Sequence, residues 1–192
     1  MSTLLVIRHG ETDWNAERRA QGHLDITLNL VGVDQAMDVA SRLAAELGGL
    51  EEAPPVYTSD LARARETAEI VAAALGAHLS EVPELRERML GIVQGKTWTE
   101  LRETHPEQVR RYKSGEDRDA IPGIEPIAEF RARCLAAANA IAFTAELAVV
   151  VTHGGVLRVL LQEVHGDQQF MIGNTALYRF RVSDGLIERV LA

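Results

Sequence analysis

The sequence predicts an α/β fold: a three-layer sandwich with a mostly parallel central sheet, an antiparallel edge strand and helices on both faces. Three observations carry this expectation. Two short unbroken apolar runs, Leu4-Leu5-Val6-Ile7 and Leu147-Ala148-Val149-Val150-Val151-Thr152, have the composition of strands buried on both sides. Between them lie segments whose apolar residues recur at helical spacing. The chain closes with two strand-like stretches, 177–182 and 186–191, flanking Ser183-Asp184-Gly185, the pattern of a hairpin.

In chain order, the first strand runs into Arg8. Val33, Ala36, Met37, Ala40, Leu43, Ala44 and Leu47 then share one helical face, and Gly48-Gly49 stops that helix. Pro55-Val56-Tyr57-Thr58 is expected as a second strand. Ser59 or Asp60 is placed to cap the next helix, whose stripe is Leu61, Ala64, Ala68, Val71 and Leu75 and whose end is Gly76. Thr97-Trp98-Thr99-Glu100 has the spacing of a capping box, so a short helix starts there; Pro106 opens another, and 115–123 is a polar loop. Ile127, Phe130, Cys134, Ala137, Ile141 and Ala145 mark one face of a long helix, which makes Cys134 a packed core thiol. The run beginning at Leu147 is unbroken and β-branched, so it belongs at the centre of the sheet, and 156–164 reads as the helix after it.

The 192 residues contain no internal repeat or low-complexity linker and are expected to form one domain, 1–192. Apolar residues at 46% and charged residues at 25% are ordinary for a globular protein and argue against a disordered or fibrous chain. No apolar run approaches the roughly 18 residues of a transmembrane helix, and no membrane partner is expected. The N-terminus has a run of only four apolar residues before Arg8 and lacks the basic and hydrophobic regions of a signal peptide. The single cysteine cannot form an internal disulfide; with the preceding point this predicts a cytoplasmic protein. A net charge of −8 without a dense basic run argues against nucleic acid as a partner. An edge strand could pair across a two-fold axis, so the chain is expected as a monomer or a homodimer.

The chemistry gathers where strands end. The first strand leads into Arg8-His9-Gly10 and the central one into Thr152-His153-Gly154-Gly155. If the two strands are parallel, both histidines lie at the carboxyl edge of the sheet, where open α/β sheets bind ligands. Arg8 and Arg63 add guanidinium forks that match phosphate oxygens, a protonated His153 would add a third positive donor, and helix N-termini add amide donors. The sequence has no His-Glu-x-x-His and no second cysteine to complete a site, so neither a metal nor another cofactor is expected.

Arg8-His9-Gly10-Glu11-Thr12 with Asn15 resembles the signature of the histidine phosphatase superfamily, which includes the cofactor-dependent phosphoglycerate mutases. The stretch from Ser59 through Arg63 to Ala68 is similar to its second motif, and Thr152-His153-Gly154-Gly155 to its third. Leu85-Arg86-Glu87, with Gly91 and Gly95-Lys96-Thr97, resembles the segment that presents the acid, and Asn174-Thr175-Ala176 a late motif. The matches run in order over almost the whole chain and are weakest at 99–120. Many relatives have Trp-Glu where this chain has Val93-Gln94, and Gly-Glu-Ser where it has Ile124-Glu125-Pro126.

The resemblance implies roles residue by residue. His9 would be the nucleophile, and Arg8, Asn15, Arg63 and His153 would hold the phosphoryl oxygens. Glu87 would give a proton to the leaving oxygen and later take one from water, with Glu84 the rival acid. Gln21 and Gly22 resemble residues at the substrate mouth, and Gly154 would bring backbone to the phosphate; Trp14 and Trp98 are expected as packing residues, with Trp98 close enough to the acid segment to touch substrate. A variable lid is expected at about 88–124. The implied activity is hydrolysis of a small-molecule phosphate ester through a phosphohistidine. Phosphoglycerate mutase is the alternative, with Arg110, Arg111 and Lys113 as a possible second anion site, and a catalytically inactive phospho-ligand binder is the third.

Overall fold

The strand β1 (Ser2–Arg8) has four consecutive buried residues, Leu4 to Ile7, because it lies between two other strands and under helices on both faces. The computed structural model describes residues 1–183 and 185–191. Five further strands are β2 (Val56–Thr58), β3 (Leu79–Glu81), β4 (Leu147–Thr152), β5 (Leu177–Ser183) and β6 (Leu186–Leu191). They form one sheet in the order β3-β2-β4-β1-β5-β6. The first four of that order are parallel, while β5 and β6 run antiparallel at one edge. The predicted sheet is therefore observed, with the two terminal strands paired antiparallel at its edge as expected. β3, only three residues long and ending in exposed Glu81, carried no apolar run to announce it. The turn expected at Ser183-Asp184-Gly185 includes Asp184, which lies outside the described residues.

Alternation along β1 divides the core. Leu4 and Val6 join Phe130, Cys134 and Ile141 of α6 (Ile127–Thr144) and Leu157 and Leu161 of α7 (Gly154–His165). Leu5 and Ile7 join Val39 and Leu43 of α2 (Leu30–Leu47) and Ala64, Ala68 and Val71 of α3 (Ala62–Leu75). Cys134 is a core thiol as expected, and burial pushes it up to about 12. Among the described residues no helix is long and apolar enough to cross a membrane.

Two local expectations change. The buried stripe of α2 is Gly32, Ala36, Val39, Ala40 and Leu43, and Met37 is 58% exposed. The helix is rotated because Gly32 presses on the backbone of Glu11 and Gly10 presses on the carbonyl of Gly32; a Cβ at either position would overlap that backbone. The cap of α3 is neither Ser59 nor Asp60. Leu61 occupies the N-cap, and Asp25 Oδ1 from a distant loop accepts the Ala62 N–H at 2.6 Å. Ser59 and Asp60 are engaged elsewhere, with His153 and Arg86.

The segment over 86–125 packs on its own small core of Val93, Leu101, Val109, Ile121 and Ile124. The capping box holds: Thr97 Oγ1 accepts from Glu100 N–H at 3.2 Å, the Glu100 carboxylate accepts from Thr97 N–H at 2.7 Å, and α4 (Trp98–Thr104) begins there. Pro106 opens α5 (Pro106–Ser114).

The Gly32 contact gives a stability test. Gly32→Ala should cost about 1–3 kcal/mol in urea unfolding through overpacking, whereas Met37→Ala should stay within about 0.5 kcal/mol of the parent. Comparable losses at both positions would restore the stripe that the sequence pattern implied.

Candidate active site

Arg8 and Thr152 are paired across β1 and β4, so the residues that follow, His9 and His153, leave the carboxyl edge of the sheet side by side. Their ring centroids are 5.2 Å apart with the planes tilted by 59°. Both are buried. His9 donates its N–H to the Thr152 carbonyl at 2.9 Å, and its own carbonyl accepts from Asn174 Nδ2 at 3.0 Å. Its Nδ1 lies 2.7 Å from the Gly10 carbonyl. A carbonyl only accepts, so Nδ1 carries the proton and Nε2 keeps its lone pair.

Burial, then the charges of Arg63 and Arg8, push His9 well below the ordinary imidazole range, against the opposing Gly10 hydrogen bond. Burial and then Arg63 do the same to His153. This works against the protonated His153 expected as a third positive donor; a neutral ring donates through one N–H at most. The Arg63 side chain extends its Nη1 to the Leu24 carbonyl at 3.0 Å and its Nη2 to the Gly22 carbonyl at 2.8 Å. Burial pushes it down to about 10, which still leaves it a cation at pH 7. Arg8 Nη1 donates to the Ile172 carbonyl at 2.7 Å.

A cavity of about 290 Å³ opens beside these groups, lined by Arg8, His9, Asn15, Gln21, Gly22, Arg63 and Glu87 among others. Five buried side-chain atoms among the described residues lack a hydrogen-bond partner: Arg8 Nε, Arg63 Nε, His153 Nδ1 and Gln21 Oε1, all of this site, and Asn139 Oδ1 elsewhere. An unpaired buried polar atom costs about 1–3 kcal/mol, so the two arginine Nε–H donors with His153 Nδ1 mark a place prepared for a ligand with acceptors, while Gln21 Oε1 is left to accept from a donor. Asn15 adds to it. Its Oδ1 completes the capping box of α1 (Asp13–Ala16), accepting from Thr12 N–H at 3.1 Å, and its Nδ2 is left for the cavity.

The sequence matches the family model described as "Histidine phosphatase superfamily (branch 1)" over residues 4–190. The chain belongs to this superfamily. It is 42% identical to "Phosphoglycerate mutase-like protein 4" of Arabidopsis thaliana over 95% of this chain and 80% of that one. It is 41% identical to the "Metal-independent phosphoserine phosphatase" of the same plant, over 83% of this chain and 67% of that one. The solved structure of Bacillus stearothermophilus YhfR superposes with a TM-score of 0.85 at 32% identity, covering 98% of this chain and 95% of the other.

Glu87 lines the same cavity as His9. Its Oε1 accepts the Arg88 N–H at 2.8 Å and its Oε2 the Gly155 N–H at 2.9 Å, in the first turn of α7. A Cβ at position 155 would collide with that carboxylate. Gly155, and not the expected Gly154, is therefore the glycine that lines the cavity; Gly154 sits at ordinary distance from Arg8 behind it. Glu84 is exposed and does not line the cavity, which removes the rival acid.

The three residues expected as a second anion site each have a close partner. Arg110 pairs with Glu107 at 2.7 Å and Glu116 at 2.8 Å, Arg111 with Asp117 at 2.8 Å, and Lys113 Nζ lies 3.9 Å over the Trp98 ring. None of the three lines the cavity, whereas Arg18 and Arg158 do, beside Trp98 stacked on Tyr112. Arg158 had a sequence signal: it follows Gly154 and Gly155 by four and three residues on one helix, hence on one face. Ser59, whose Oγ lies 2.9 Å from His153 Nε2, had none beyond its second motif. Among the described residues no group of three His, Cys, Asp or Glu side chains could hold a metal ion.

Because His9 and His153 are buried neutral, the unfolded chain binds their protons first as pH falls. Their contribution to stability is complete above about pH 6.5 and declines below it toward their depressed folded values. Urea midpoints should fall between pH 7.5 and 5.5, and His9→Gln should flatten part of that slope. An unchanged slope in the variant would mean that His9 titrates near its ordinary value.

Proposed function

We propose that this chain is a phosphomonoesterase that hydrolyses a small phosphorylated metabolite through a phosphohistidine on His9, without a metal ion. One observation carries the reading: His9 Nδ1 is tied to the Gly10 carbonyl, so Nε2 is the free nucleophile, on a cavity shared with buried Arg63, half-buried Arg8 and the Glu87 carboxyl. Depression of the His9 pKa keeps Nε2 unprotonated at neutral pH.

In the first step Nε2 attacks phosphorus and the ester P–O bond breaks. Charge on the three equatorial oxygens is met by Arg8 Nε, Arg63 Nε and Asn15 Nδ2. Ser59 Oγ already accepts the Leu61 N–H at 3.2 Å; with its hydroxyl proton turned to His153 Nε2, the His153 proton sits on unpartnered Nδ1 and makes a neutral donor. Glu87 gives its proton to the leaving alkoxide. In the second step Glu87, now a carboxylate, takes a proton from water, whose oxygen attacks phosphorus as the P–N bond breaks. Inorganic phosphate leaves, and His9 and Glu87 return to their starting forms.

A cavity of about 290 Å³ is at the small end of the ligand range, which favours a compact substrate. The phosphoserine phosphatase name of one relative supports hydrolysis, and a solved Entamoeba histolytica phosphoserine phosphatase in complex with phosphoserine is 26% identical with a TM-score of 0.81. The mutase reading draws on the name of the other Arabidopsis relative. It loses support from the ion pairs that occupy Arg110 and Arg111.

The test is a panel of phosphate monoesters in EDTA that includes phosphoserine and 3-phosphoglycerate, with acid-stable and acid-labile phosphoprotein measured after rapid quench. Phosphate release should persist in EDTA, and a transient acid-labile phosphoprotein should appear. His9→Ala should lower kcat/KM by about three orders of magnitude or more. Activity surviving in His9→Ala would overturn the phosphohistidine route, and isomerisation outpacing phosphate release would transfer the case to a mutase.

A further inference from the structure

Arg133 lies on α6, does not line the cavity, and uses every donor it has. Its Nε and Nη2 donate to the two Glu125 carboxylate oxygens at 2.6 and 2.8 Å. The remaining three N–H groups go to backbone carbonyls of one short stretch: Nη1 to Glu84 at 2.7 Å and to Arg86 at 2.7 Å, and Nη2 to Glu87 at 2.9 Å. A guanidinium has five N–H donors in a rigid plane, and here all five are taken. The chain carrying the acid is thus wrapped around one planar group.

Glu125 closes the arrangement from the other side. Its Oε2 also accepts the Met89 N–H at 3.2 Å, its own N–H donates to the Met89 carbonyl at 2.9 Å, and its carbonyl accepts from Arg88 Nε at 2.8 Å. His23 Nε2 lies 2.7 Å from the same Glu87 carbonyl that Arg133 holds. The Glu87 backbone is therefore anchored on both sides of its Cα by partners that leave its carboxyl facing the cavity. A stretch bearing a proton donor but lying in a single turn of 3₁₀ helix followed by irregular chain has no ladder of its own to hold it.

We propose that Arg133, locked by Glu125, is the positioning residue that sets the Glu87 carboxyl against the leaving oxygen. It acts through the backbone and touches neither His9 nor the phosphoryl group. The inference rests on the reading of Glu87 as proton donor given above.

A positioning role and a merely structural one separate on the leaving group. Loss of proton donation slows expulsion of an alkoxide but hardly slows 4-nitrophenolate, which leaves without a proton, and kcat/KM reports this first transfer step. In Arg133→Gln and Arg133→Lys, kcat/KM for an alkyl phosphate should fall about 10- to 100-fold while that for 4-nitrophenyl phosphate changes less than about threefold. Inhibition by inorganic phosphate, which reads the Arg8–Arg63 cradle, should stay within about threefold of the parent. Glu125→Gln should show the same split at smaller size, and decides the matter if the Arg133 variants do not fold. Equal losses on both substrates with weakened phosphate inhibition would make the pair a structural staple and overturn the proposal, as would no loss at all. Glu87→Gln is the reference. If it splits the substrates and the Arg133 and Glu125 variants do not, the positioning role alone is lost; if Glu87→Gln itself fails to split them, the reading of Glu87 as the acid is wrong and the positioning role goes with it.

Discussion

The parallel ladder between β1 and β4 pairs Arg8 with Thr152, and from that register follows the meeting of His9 and His153 at one edge of the sheet. Side chains alternate along a strand, so a slip of one residue would send Leu4 and Val6 to the wrong helices and turn the histidine ends away from each other. The register is held by burial on both faces, with the α6 and α7 core on one side and the α2 and α3 core on the other. Packing energy in the middle of the molecule thereby determines geometry at its edge. Close glycine contacts finish the placement, at Gly10 and Gly32 beside His9 and at Gly155 beside Glu87.

Electrostatics at that edge run against the protein as a whole. The chain carries a net charge of −8, yet the cavity presents Arg8, Arg63, Arg18 and Arg158 around a single carboxyl, Glu87. Distant charges are screened over about 10 Å, so this local excess is what an anion meets. The same positive field, added to burial, keeps both histidines neutral. A neutral imidazole is what an attacking nitrogen requires, and the cost of leaving Arg8 Nε, Arg63 Nε and His153 Nδ1 unpaired is repaid when acceptor oxygens arrive. Unpaired polar atoms of this kind, gathered at one edge, are a local cost in stability.

Much of this was legible from residues 1–192 as a string. Leu4-Leu5-Val6-Ile7 and the run from Leu147 could only be central strands, the Thr97–Glu100 box and Pro106 marked real helix starts, and the two histidine ends pointed to the carboxyl edge. Sequence could name these because each depends on neighbours in the chain: strand burial on composition, capping on a spacing of three, a turn on a glycine. The family resemblance added Glu87, which no local pattern distinguishes from Glu84.

What the tertiary structure alone decided are the relations between distant segments. Met37 turned outward because Gly32 meets the backbone at Glu11, and the cap of α3 moved to Leu61, where Asp25 from a distant loop accepts the Ala62 N–H. Gly155 replaced Gly154 because the Glu87 carboxylate arrives over the first turn of α7, and Arg110 and Arg111 were withdrawn from the cavity by acids on their own segment. Glu125 became legible only beside Arg133 and the three carbonyls that share its guanidinium. A sequence states which groups are present and how neighbours along the chain will fold; which donor finds which acceptor across the molecule is settled by packing, because hydrogen bonds and close contacts depend on distances that no spacing in the chain encodes.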